Sequence, residues 1–203
     1  MGGDRPVTQP AVLRSLNCDG RRGAALLALC GLLVVPTLAG EAGRRALRYE
    51  RAGLAAGQCW RLVTAHLVHL DLRHALLNCL GLALIWALFA RDYTWRQWLA
   101  IVLAAMVAID AGLWLCDSTV SWYVGSSGVL HGLMAAGALA QVRRGERAGW
   151  ILTGLLLLKL GYEHWLGALP FAGSDPVIVS AHLYGVAGGA LLAAFLKPGA
   201  APL

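Results

Sequence analysis

The stretch Gly125-Ser126-Ser127-Gly128-Val129-Leu130-His131-Gly132, running on through apolar residues to Gln141 and Val142, decides the fold. It follows the polar loop Cys116 to Ser126 and stops at the basic run Arg143-Arg144-Gly145-Glu146-Arg147. Ser127 to Gln141 makes about 22 Å of helix at about 1.5 Å per residue, whereas the hydrocarbon core of a bilayer is about 30 Å thick. A helix of this length, in a membrane-spanning chain, begins beneath the outer surface and leaves Ser127 at the bottom of a polar recess. Polar groups at such depth are costly and usually functional.

The rest of the chain supplies that membrane setting. Of 203 residues, 58% are hydrophobic and only 14% charged, and the mean hydropathy is +0.62, far from the balance of a soluble domain. Apolar runs extend over Ala24–Ala39, Leu72–Ala90, Gln97–Leu115, Gly128–Val142, Gly149–Leu169 and Val177–Leu196. Most reach the roughly 17 to 25 residues that a crossing needs. The expected fold is an all-α membrane protein, a single bundle of six transmembrane helices in which 25 glycines permit close packing. Residues 1–23 are expected to form a cytoplasmic segment, 24–197 the six-helix domain with a structured loop at 41–71, and 198–203 a tail. The first run is read as an uncleaved anchor, being long for a signal peptide and lacking a small-residue cleavage site.

A formal charge of +6 and a pI near 9.4 raise the question of nucleic acid, but the basic residues cluster beside helix ends and read as topology signals. Arg5, Arg14, Arg21 and Arg22, then Arg91 and Arg96, then Arg143, Arg144 and Arg147, then Lys197 mark cytoplasmic segments, and Pro170 to Pro176 on the opposite side has none. The exception is the long first loop, with Arg44, Arg45, Arg48, Arg51 and Arg61. It is expected to lie partly helical in the interface, its arginines meeting headgroups. Cys18, Cys30, Cys59, Cys79 and Cys116 show no metal spacing and, being odd in number, no full disulfide framework; Cys59 and Cys116 lie on the same expected outer side, where one bridge is open to them but is not expected.

His182, about five residues into the sixth helix, lies roughly 8 Å deep from the same side as Ser127. His74 and Asn78 enter the second helix at a similar level. A serine hydroxyl needs a base to become nucleophilic, and His182 is the candidate. Gly128 and Gly132 on one helix, with Gly185 and Gly189 on the other, allow the backbones to approach until Ser127 and His182 touch. The helix start at Ser127 offers amide N–H groups to an oxyanion, and Asn78 adds a side-chain donor. No carboxylate is evident nearby along the sequence, so a Ser-His dyad is expected.

Four sequence elements resemble the rhomboid family of intramembrane serine proteases, over Ala24 to Leu196: Trp60-Arg61 in the loop, His74-Ala-Leu-Leu-Asn78, Gly125-Ser126-Ser127-Gly128 and Ala181-His182-Leu-Tyr-Gly185. The resemblance implies Ser127 as nucleophile, His182 as general base, and His74, Asn78 and Ser127 as the oxyanion hole. It also implies a peptide bond as substrate and no cofactor. Gly125, Gly128, His131 and Gly185 are supporting residues; many rhomboids carry an aromatic that stacks on the base where this chain has His131. The short chain, the Gly-Ser-Ser-Gly-Val-Leu-His-Gly run and Lys159 with Glu163 look most like rhombosortases, which process bacterial proteins bearing a C-terminal glycine-rich motif, an apolar helix and a basic end (GlyGly-CTERM). A general rhomboid protease for single-span proteins and an inactive rhomboid that binds transmembrane helices are the alternatives. Water and an amine both remain as acyl acceptors.

Lys159 and Glu163, four apart, share one face of the fifth helix, which resembles the substrate gate of rhomboids; they are read as an internal ion pair or as a contact for substrate. Asp110 in the third helix needs a partner that the sequence does not name. His66, His69 and His74 lack the H-E-x-x-H pattern and are expected to face water at the interface, with no metal. The expected location is a bacterial inner membrane, with both termini cytoplasmic and the site facing the periplasm. The partners are lipid, the transmembrane or C-terminal tails of substrates and no nucleic acid; any accessory membrane partner is left open.

Overall fold

A computed structural model describes residues 16–167 and 177–199 of the chain; the Pro170–Pro176 loop and the basic residues Arg5 and Arg14 lie outside the described residues. The described helices are α1 (Gly20–Val34), α2 (Gly40–Leu47), α3 (Arg51–Ala55), α4 (Arg61–Thr64), α5 (Leu72–Phe89), α6 (Trp95–Leu115), α7 (Ser127–Arg143), α8 (Arg147–Leu166) and α9 (Val179–Phe195). The apolar runs fall on α1, α5, α6, α7, α8 and α9, with ends displaced by a few residues. Among the described residues three helical stretches, Gly20–Leu47, Leu72–Phe89 and Trp95–Leu115, are long and apolar enough to cross a membrane.

Local chemistry explains where the helices begin and end. Asp71 caps α5 by accepting from the His74 amide at 2.7 Å. At α6, Thr94 and Gln97 cap each other's backbone N–H groups in a capping box. Pro36 sits at the start of a 3-10 turn, Val35–Ala39, that ends α1, and Gly40, at φ 65°, redirects the chain into α2.

α7 is the central helix and is buried on nearly every side, against α5, α6, α8 and α9. The outer helices present large apolar side chains outward, among them Leu80, Val107, Leu158 and Phe195, as a bilayer solvent requires. α7 and α9 meet backbone to backbone. A Cβ on Gly132 would lie 2.6 Å from the Gly185 carbonyl oxygen, one on Gly128 would lie 2.8 Å from that of Ala181, and one on Gly185 would overlap the Gly128 carbonyl oxygen. α8 is held differently: its buried residues are Gly149, Leu156 and Glu163, a single line spaced by seven.

The long connector between α1 and α5 folds as α2, β1 (Tyr49–Glu50), α3 and α4. Its antiparallel β1 pairs with β2 (Trp122–Tyr123), Tyr49 opposite Tyr123 and Glu50 opposite Trp122. This clamps the connector to the segment that leads into Ser127. The arginines expected to meet headgroups find partners within the chain, although the Arg45–Glu41 pair stays largely exposed. Buried Arg61 donates to the Arg45 and Arg48 carbonyls at 2.8 and 2.7 Å and to Gln58 Oε1 at 2.6 Å. Arg51 donates to the Leu113 and Trp114 carbonyls at 2.7 Å each, where unpaired carbonyls of the α6 C-terminus gather. Arg44 binds the Leu70 carbonyl, Arg45 pairs with Glu41 and Arg48 with Glu50. All five cysteines are free, Cys59 and Cys116 included.

Candidate active site

Ser127 is delivered by a strained approach. Gly125 has φ +115°, a conformation that side-chain-bearing residues rarely adopt. Its amide donates to the Ala65 carbonyl at 2.9 Å, and its carbonyl accepts from the Tyr123 hydroxyl at 2.7 Å. Both ends of the turn are thereby tied down before α7 begins. Burial, first, and the charge of Asp110 push the Tyr123 hydroxyl well above its ordinary value, opposed by hydrogen bonds involving the Gly128 backbone and the Ser127 side chain. Tyr123 therefore stays protonated and able to donate. The adjoining Ser126 hydroxyl lies 3.2 Å from His69 Nε2, so Ser126 is engaged with the connector and Ser127 is the serine left facing α9.

Ser127 Oγ is 3.0 Å from His182 Nε2, across the α7–α9 crossing. His182 is 4% exposed. Its other ring nitrogen, Nδ1, is 2.8 Å from Glu163 Oε2, and Glu163 Oε1 accepts from Lys159 Nζ at 2.5 Å. An ionised carboxylate only accepts, so Nδ1 carries the proton and Nε2 is free to accept from the serine hydroxyl. The expectation of a site without a carboxylate is thus corrected: α8 turns Glu163 inward onto the histidine. Spacing along one helix shows Lys159 and Glu163 to be neighbours, but not which neighbouring helix they face. The available signal was depth, since Glu163 lies one turn beyond Lys159 toward the end at which His182 enters.

His131 occupies the place one turn after Ser127, its ring stacked on His182 with centroids 4.1 Å apart and planes 14° from parallel. Its Nδ1 donates to the Ser127 carbonyl oxygen at 2.7 Å. The imidazole thus stands where an aromatic ring would, and also fastens the first turn of α7. His74 lies against Gly125: a Cβ there would be 3.0 Å from His74 Cε1 and 3.2 Å from Nε2. Asn78 is buried, and its Nδ2 donates to the His74 carbonyl at 3.0 Å, so this N–H is turned onto its own helix rather than toward Ser127.

The expectation that the loop histidines face water is also overturned. His66 and His69 are 0% and 1% exposed. His66 Nε2 lies 3.3 Å from Asp110 Oδ1, which supplies the partner Asp110 requires. Burial, first, and the neighbouring His74 lower His69 to about 4, against hydrogen bonds that its ring donates to the Leu33 and Leu67 backbone; it is neutral near pH 7.

One group among the described residues, His131, Glu163 and His182, brings metal-ligand atoms within 4.8 Å of one another. The arrangement suits a metal poorly. Nearly parallel stacked rings direct their in-plane lone pairs side by side rather than toward a common point, and the carboxylate oxygens are already bonded to His182 and Lys159.

The rhomboid-domain family pattern matches residues 56–199, which spans α4 to α9 and every site residue above. The chain belongs to the rhomboid family, a class of multi-pass membrane proteins of intramembrane-protease type. Among curated relatives it is similar to YdcA of Bacillus subtilis (strain 168), which carries the name of a rhomboid protease: 26% identity over 140 residues, covering 69% of this chain and 68% of the relative. No solved structure gives a significant match.

Proposed function

We propose that this chain is an intramembrane serine endopeptidase with Ser127 as nucleophile and His182 as general base. The observation that carries the reading is the 3.0 Å approach of Ser127 Oγ to His182 Nε2 at the first residue of a 17-residue helix. In the forward step the Oγ–H proton passes to Nε2 while Oγ bonds to the scissile carbonyl carbon, whose π electrons move onto oxygen. The resulting oxyanion meets the N–H groups at the start of α7, where one well-placed donor contributes about 3 kcal/mol. Nε2 then returns the proton to the departing amine, and water or an amine resolves the acyl-enzyme. His74, beside Gly125, and Asn78, after rotation of its amide, are the proposed side-chain contributors to the oxyanion hole.

The proposed orientation follows charge. Ser127 and the Arg143–Arg147 cluster lie at opposite ends of α7, so a cytoplasmic cluster leaves the serine opening to the periplasmic side of a bacterial inner membrane. The proposed substrates are secreted or surface proteins held by a C-terminal glycine-rich motif, apolar helix and basic end, a rhombosortase-like specificity supported by the Gly125–Gly132 run and the Lys159–Glu163 pair. The test is co-expression of a secreted reporter bearing such a tail with wild-type enzyme or Ser127→Ala. Cleavage that disappears in the variant supports both nucleophile and substrate class. An uncleaved tail with Ser127 still labelled by a fluorophosphonate would keep the protease and reject the tail.

A further inference from the structure

Beyond the Ser127–His182 pair, the bundle holds a buried Asp92–Arg144 pair at the far end of α7, a His66–Asp110 pair under the connector, and the α8 carboxylate on His182. The first two tie structural elements together. The third reaches the reacting atoms through one hydrogen bond.

We propose that Glu163 is a positioning residue that makes this site a Ser127–His182–Glu163 triad, with Lys159 as the counter-charge that holds the carboxylate in place. The inference rests on the reading of Ser127 as nucleophile and goes beyond it.

An internal ion pair between Lys159 and Glu163 would require only Oε1. Oε2 is instead spent 2.8 Å away on a residue of another helix, and both oxygens of a carboxylate whose side chain is 3% exposed are satisfied. An isolated buried carboxylate is strongly unfavourable, and Lys159, whose side chain is 31% exposed, supplies charge while keeping some contact with the surroundings. The arrangement fixes three properties of the base: Nδ1 carries the proton, the ring plane is set by Glu163 on one edge and by stacked His131 on its face, and Nε2 points at Ser127.

The proton balance is simple. The Ser127 hydroxyl proton moves to Nε2, making an imidazolium whose charge is met by Glu163. The carboxylate remains ionised throughout, and the proton leaves with the departing amine. Lys159 and Glu163 cancel at rest, so the imidazolium and the oxyanion are the charges that develop together.

The test uses the full-length protein in detergent and needs no natural substrate. The rate of fluorophosphonate labelling at Ser127 is measured for wild type, for Glu163→Gln, and for Lys159→Met combined with Glu163→Leu, which removes both charges as a unit so that neither is left unpaired. Nitrogen NMR of His182 reads the tautomer in wild type and Glu163→Gln. Labelling is expected to fall at least about 100-fold in both variants, since replacing a triad carboxylate by its amide costs up to about 10⁴-fold by favouring the wrong tautomer. His182 is expected to be Nδ1-protonated in wild type and to lose that preference in Glu163→Gln. Wild-type labelling with either variant at the unaltered rate would overturn the triad while keeping the nucleophile. An Nε2-protonated His182 in resting wild type would overturn it even if a variant failed to fold. Absence of labelling in wild type would instead reject the reading of Ser127 on which the triad rests.

Discussion

Substituting Gly132 by alanine adds one methyl group at the point where α7 leans on α9. The new Cβ would lie 2.6 Å from the Gly185 carbonyl oxygen and 2.8 Å from Ala105 Cβ, so α9 and α6 oppose it from two sides. Neither obstacle is the end of a flexible side chain. Restoring ordinary contact, near 3.4 Å, requires α7 and α9 to separate by about 0.8 Å, and a helix moves as a body over the roughly one and a half turns between Gly132 and Ser127. The 3.0 Å approach of Ser127 to His182 would then lengthen to about 3.8 Å, beyond hydrogen-bond reach. A misplacement of about 1 Å costs on the order of 100-fold in rate, and overpacking of this kind costs about 1–3 kcal/mol of stability. Labelling and reporter cleavage by Gly132→Ala should therefore fall about 100-fold with a lowered melting temperature. Gly154→Ala and Gly161→Ala, where nothing lies within 4 Å of the added Cβ, serve as controls and should behave as wild type. Gly132→Ala cleaving at the wild-type rate would refute the claim that backbone contact sets the spacing.

Acid should destabilise the protein through His69. Its folded value of about 4 lies below the ordinary 6.5, so the unfolded chain binds more protons between those limits and stability rises with pH there; falling from pH 6.5 to 4 removes roughly 3 kcal/mol. A His69→Asn variant whose thermal stability keeps the full wild-type slope over that range would disprove the assignment. Arg61→Lys should be less stable than wild type by roughly 2–4 kcal/mol and melt at a lower temperature, because an ammonium cannot reproduce the guanidinium fork on Arg45, Arg48 and Gln58; an unchanged melting curve would show those bonds to be dispensable. His131→Phe keeps a ring against His182 and loses the bond to the Ser127 carbonyl, so labelling should drop by less than about 10-fold. A loss as large as that of Ser127→Ala would mean that His131 carries a proton in the reaction.

Depth along a membrane helix is legible in sequence because each residue advances by a fixed rise, and this is why counting sets Ser127, His182, His74 and Asn78 at one level. The glycine spacing on two helices likewise points to a close crossing. Direction around a helix is harder to read in a bilayer, where lipid-facing and packed residues are both apolar. Glu163 is visible as the neighbour of Lys159, while its turn toward His182 depends on how α8 lies against α7 and α9. The connector was hard to read for a different reason. Its arginines carry the composition of a headgroup-binding segment, and only the folded chain shows that Arg51 meets the carbonyls ending α6 and Arg61 those at the C-terminal end of α2. The buried state of His66 and His69 depends on those same tertiary contacts.

The line Gly149, Leu156 and Glu163 along α8 separates what is permanent in this site from what is reversible. The distance from serine to histidine is set by two backbones in contact and has little freedom to change while the bundle stays folded. The carboxylate is borne by a helix attached along one narrow edge, with Glu163 at its end. An outward tilt of α8 would leave Ser127 and His182 where they are but withdraw the partner of Nδ1, so the histidine would keep its place and lose its orientation. Motion of a peripheral helix would in this way be felt as reactivity at the centre, with full nucleophilic strength present only while the helix is seated.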